Sequence, residues 1–235
     1  MAQPTPTNLT VTLNIDGADV GTKTKTLRVR SVNDVPYARK SDNGSYQRME
    51  WMFAAFVNEN HPWIDPLLRE ALQTGRVKSF SGYQVNPQEV VRQVDAIWAA
   101  LQRRKITYSS ITTASGTSDA VLSQHVRFLT ESVRNQQANC IDGTVLFASI
   151  LRKIGIDPVI VLVPGHAYLG FYVDAAHKQA AYVETTMIGT STFQQALAAG
   201  TQNMQKYGPL FGHDPRAVFL RVAEARQSGI MPISR

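Results

Sequence analysis

The sequence predicts an α+β protein, and three features of its hydrophobic pattern predict it. The opening residues alternate apolar and polar side chains, the middle of the chain spaces its apolar residues for helices, and residues 158–188 hold strand-like runs in succession. Helices followed by strands that return on short turns imply helices packed on an antiparallel sheet.

Leu9, Val11, Leu13 and Ile15 alternate with Thr10, Thr12 and Asn14, the period of a half-buried strand. "DGADVG" supplies turn residues and "TKTKTLRVR" a second, more polar strand, so residues 9–30 predict a hairpin. Residues 1–40 read as an N-terminal hairpin extension and residues 41–235 as the main domain, whose first part is helical. Met49, Met52, Phe53 and Phe56 repeat at one-face helical spacing. Asp65 before Pro66 predicts a cap followed by proline at the first helical position, with Gly75 as the stop.

Asn86 and Glu89 have the spacing of a capping box leading into Val90, Val94, Ile97, Trp98 and Leu101. Leu122, Val126, Leu129 and Val133 predict another amphipathic helix. These Met, Phe and Trp stripes are core surfaces. From Asn139 the pattern changes: Ile141, Val145, Leu146, Phe147, Ile150, Leu151 and Ile154 are apolar around most of a helix, which must then be buried on nearly every side. Arg152, Lys153 and Gly155 mark its end. "PVIVLVP" is a continuous apolar run suited to the middle of a sheet, and "HAYLGFYV" and "AAYVETTMI" follow as strands joined by "DAAHKQ".

Composition narrows the class. Of 235 residues, 43% are hydrophobic and 18% charged, which suits a packed globular chain. The net charge of +6 permits weak attraction to anionic surfaces. The basic residues, including Arg103-Arg104-Lys105 and those of residues 23–30, are spread as on a solvated face, with no nucleic-acid-binding motif beside them. No transmembrane segment is expected, because no run approaches ~18 apolar residues. The opening "MAQPTPT" is polar and proline-rich, like the start of a trimmed chain. The compartment is left open, export by a removed signal included.

The single cysteine, Cys140, cannot form an internal disulfide. It is core filler, a reactive thiol or an intermolecular link. Its place at the start of a buried helix faces it to unpaired backbone N–H groups and the positive end of the helix dipole, both of which favour a thiolate. Those N–H groups also suit the oxyanion formed when sulfur attacks a carbonyl. A nucleophilic cysteine needs a base and a group to orient it. His166 opens a predicted strand after Pro164-Gly165, and Glu184 stands on the next one; pairing of those strands would put the two side by side.

At "ANCIDGTVLFASILRKIGI", "PGHAYLGFY" and "YVETT" the sequence resembles the transglutaminase-like superfamily of papain-related cysteine enzymes, over about residues 118–190. The segment from "MEWMFAAF" to "SQHVRF" also looks like bacterial proteins of uncharacterised activity that carry this core. The resemblance implies a buried helix bearing the cysteine, packed on an antiparallel sheet. It implies that Cys140 is the nucleophile and His166 the general base and acid. Glu184 takes the place of the orienting acid, where the family more usually has aspartate. Asp174 is the fallback acid, and Asp142 reads as a stabiliser of the helix N-terminus. By the same analogy, Gln136 or Gln137 would be an oxyanion donor. The expected activity is cysteine-dependent acyl transfer from a protein or peptide amide, with hydrolysis as a protease or amidase favoured. The same triad would serve a protein-glutamine transferase, and a binding module that keeps the fold without catalysis is the third reading. No cofactor is expected. One cysteine and the scattered His61, His125, His177 and His213 offer no close ligand pair for zinc, so these histidines read as structural. No acidic loop with calcium-binding spacing is present.

Overall fold

The computed structural model describes residues 5–110 and 120–233. Residues 1–4 of the polar opening and residues 118–119 of the resembling segment lie outside that range. Strands β1 (Thr5–Ile15) and β2 (Ala18–Val29) form an antiparallel hairpin. Asp16 and Gly17 both take positive φ, 49° and 82°, the two-residue geometry that matches the twist of flanking strands. The hairpin is where the sequence reading fails on burial. Leu9, Val11, Leu13 and Ile15 share one face as expected, yet they are 51–61% exposed. Alternation fixes which side chains share a face, and only a packing partner can bury that face.

Strand β3 (Asp34–Lys40) pairs with β4 (Tyr46–Arg48), and residues 34–40 therefore belong to the body beyond the hairpin. The Met-Phe stripe forms a 3-10 helix over Glu50–Phe56. Helix α1 (Ile64–Leu72) starts before Asp65, so Pro66 falls inside its first turn. Helix α2 (Pro87–Arg103) starts as the sequence reads: the Asn86 side chain accepts from the Glu89 N–H at 2.9 Å, and proline occupies the first position. Strand β5 (Thr107–Tyr108) follows.

The expected helix through Leu122 and Val126 is divided. Val121–His125 is strand β6, paired antiparallel with β3, and only Leu129–Asn135 is helical, as α3. The apolar spacing spans two elements, and the edge of β3 captures the first. Strand β7 (Gln137–Ala138) runs parallel to β5 and leads into helix α4 (Cys140–Lys153).

Strands β8 (Pro158–Val163), β9 (His166–Tyr172) and β10 (Ala180–Val183), helix α5 (Phe193–Tyr207), strand β11 (Val218–Arg221) and helix α6 (Val222–Gln227) complete the order. The main sheet is antiparallel in the order β10-β9-β8-β11. Every residue of β8 is buried, because Ile160 and Leu162 enter the main core while Val159, Val161 and Val163 enter a second cluster with Tyr168. Burial on both faces explains the unbroken apolar run. Helix α4 lies on β8 and β9, and from Ile141 to Leu151 each of its residues is buried. Among the described residues no helix is long and apolar enough to cross a membrane.

Candidate active site

The start of α4 is held by a reciprocal cap. Asn139 Oδ1 accepts from the Asp142 N–H at 2.9 Å, and Asp142 Oδ2 accepts from the Asn139 N–H at 3.0 Å. Asp142, fully buried, also accepts from the Arg127 backbone at 2.7 Å and pairs with its guanidinium at 2.7 Å. Burial pushes the Asp142 carboxyl up, against the pull of Asn139 and Arg127. The cap fixes Cys140 as the first residue of the helix, where backbone N–H groups have no intrahelical acceptor. Thr144 Oγ1 donates to the Cys140 carbonyl at 2.7 Å, closing that turn. Across the turn, Gly143 meets Thr185: an added Cβ would lie 3.1 Å from its side chain.

Strand β9 begins at His166, after the Pro164-Gly165 turn in which Gly165 takes φ 74°. The chain returns through Asp174–Gln179 to β10, and Glu184 follows that strand directly as the cap of a 3-10 turn, Thr185–Met187. His166 Nε2 lies 2.7 Å from Glu184 Oε2. The Cys140 side chain lies close enough to the same ring to favour its protonated form, as the Glu184 carboxylate does from Nε2. The structure thus brings Cys140, His166 and Glu184 into one chain of contacts. The cysteine and histidine are half-buried, and Glu184 is buried behind them.

Burial disfavours the charged imidazole, but hydrogen bonds and charge from Cys140 and Glu184 outweigh it and hold His166 up at about 10. Burial likewise raises Glu184, and the hydrogen bonds from His166 and Thr186 reverse that, leaving its carboxyl below the usual value. Glu184 Oε1 accepts from the Thr186 N–H at 3.1 Å and its hydroxyl at 2.6 Å, while Oε2 accepts from Asn203 Nδ2 at 2.7 Å.

The other sequence candidates stand elsewhere or face elsewhere. Gln136 takes the left-handed conformation that ends α3, φ 55°, and its amide donates to the Arg104 carbonyl at 3.0 Å. Gln137 lies exposed on β7. Asp174 shapes the β9–β10 turn by accepting from Lys178 and Gln179 N–H groups, at the opposite end of β9 from His166. His61 bonds Thr130, His125 faces Asp34, and His177 pairs with Asp157 and stacks on Tyr172.

Three further residues of the site escape sequence reasoning. Tyr108 reaches it through the β5–β7 pairing; burial raises its phenol, and so do charges at Cys140 and Glu184. It is 46% exposed and stands on the rim. Thr186 has a local signal, because "ETT" follows a strand end and a carboxylate readily bonds a threonine two residues on. Asn203, on α5, has none. Comparison with family models, curated proteins and solved structures finds nothing that matches this chain.

Proposed function

We propose that the protein is a cysteine-dependent acyl-transfer enzyme acting on amide bonds, most simply a protease- or amidase-type hydrolase of the transglutaminase-like kind. The observation that carries the reading is the His166 ring bonded to the Glu184 carboxylate at 2.7 Å and lying close to Cys140 at the start of a buried helix. A thiolate is the attacking species, and a cationic ring beside it is the counterion that form needs. In this mechanism the sulfur adds to the amide carbonyl, and N–H groups of the first turn of α4 suit the oxyanion. His166 gives its proton to the departing amine, leaving a thioester. The neutral ring then takes a proton from water as it attacks the thioester. The acid is released, and the thiolate and imidazolium return.

The test is alkylation of Cys140 by iodoacetamide at about pH 6, where an ordinary thiol is almost wholly protonated. Reaction much faster than free cysteine, lost in His166→Gln, is the expected result. A rate no greater than that of the unfolded chain defeats the proposal. Trapping an acyl adduct on Cys140 from a peptide library then identifies the substrate.

A further inference from the structure

We propose that Asn203 is a positioning residue that holds the Glu184 carboxylate on His166; the inference rests on the acyl-transfer reading of this site. Glutamate has one more rotatable bond than aspartate, so its carboxylate is harder to fix in one place. Here all of its acceptor sites have donors. Thr186 bonds Oε1 twice, and Oε2 is shared by His166 and Asn203, each at 2.7 Å. Thr186 alone leaves Oε2 free to swing about Oε1, and the Asn203 amide removes that freedom.

The fold delivers Asn203 through a close approach of α5 to the end of β10. An added Cβ at Gly200 would sit 2.3 Å from the Tyr182 carbonyl oxygen and 2.6 Å from the Val183 nitrogen, so the helix backbone rests on the strand backbone. The Glu184 N–H donates to the Ala196 carbonyl of the same helix at 3.0 Å. Ala196 and Gly200 are one helical turn apart, and Asn203 lies three residues beyond Gly200, on the same side of α5. The helix therefore grips Glu184 at its backbone and again at its carboxylate.

The test compares Asn203→Leu, which keeps the side-chain bulk without the donor, and Asn203→Ala with the wild-type protein and with Gln202→Ala as an exposed control on the same helix. The readouts are the titration midpoint of His166 by NMR and the alkylation rate of Cys140 against pH. Loss of the tether lowers the His166 midpoint by about one pH unit, while Gln202→Ala leaves both the midpoint and the alkylation profile unchanged. A folded Asn203 variant whose midpoint stays or rises overturns the inference: the amide would then only compete with His166 for Oε2. If both Asn203 variants fail to fold, Asn203→Gln, which keeps the donor, must fold and titrate closer to wild type than Gly200→Ala, or the inference falls. Slow alkylation of the wild-type thiol sinks the acyl-transfer reading separately, because the His166 midpoint still reports the tether.

Discussion

His166 Nε2 and Glu184 Oε2 are 2.7 Å apart although one opens strand β9 and the other follows β10. The antiparallel return of the chain creates this contact, and the packing of α4 on the same sheet brings Cys140 close to the ring.

Against its burial, Cys140 and Glu184 hold the His166 ring up at about 10, from an ordinary value of 6.5. A raised histidine contributes stability that is complete below the unfolded value and lost as pH rises through the folded one. His166→Gln therefore loses most stability relative to wild type below pH 6.5, and the difference disappears as pH passes about 10. Cys140→Ala lowers the NMR midpoint of His166, because the thiol is one of its two supports. A wild-type midpoint near 6.5 contradicts the geometry.

Glu184 is depressed, so its contribution has the opposite sign: it is present above the ordinary value of 4.5 and lost as pH falls. Glu184→Gln keeps the shape and removes the charge. The His166 midpoint falls, and alkylation of Cys140 at about pH 6 slows roughly tenfold or more, because the ring loses its carboxylate support. Urea titration over acid pH should show a shallower loss of stability in the variant than in wild type.

Asp142→Ala removes the carboxylate half of the cap on α4 and leaves the Arg127 guanidinium, only 12% exposed, without that carboxylate. Breaking a buried pair in this way costs about 3–5 kcal/mol. Denaturant melts should register the loss, and cysteine alkylation should slow as the first turn of α4 loosens.

Gly200→Ala sets two effects against each other. Alanine gains about 1 kcal/mol of helix propensity over glycine. The new Cβ meets the backbone of Tyr182 and Val183 at 2.3–2.6 Å, and such overpacking costs about 1–3 kcal/mol. The collision is with backbone that cannot rotate away, so the variant melts lower than wild type. A higher melting temperature refutes the close approach.

Removing residues 1–29 leaves the melting temperature of the body nearly unchanged, since β1 and β2 are exposed almost throughout. Extending the deletion through Lys40 removes β3 with buried Val35 and Ala38, unpairs β4 and β6, and lowers the midpoint sharply. Calorimetry of the two truncations distinguishes extension from core.

Local chemistry determined much of this protein in the sequence alone. Alternation in "VTLNI" made a strand, Asp16-Gly17 made its turn, and Asn86-Pro87 began α2. The apolar girth of residues 141–154 required a buried helix, with Cys140 at its mouth. These signals act over a few residues and follow from the periods of helix and strand. Tertiary structure decided the rest. It took Leu122 into a strand on β3, left the hairpin's apolar face in solvent, turned the Gln136 amide to Arg104, and brought Tyr108 and Asn203 to the site. Asn203 shows why: its bond to Glu184 depends on how closely two backbones pack at Gly200, and no residue near Asn203 in the chain encodes that distance.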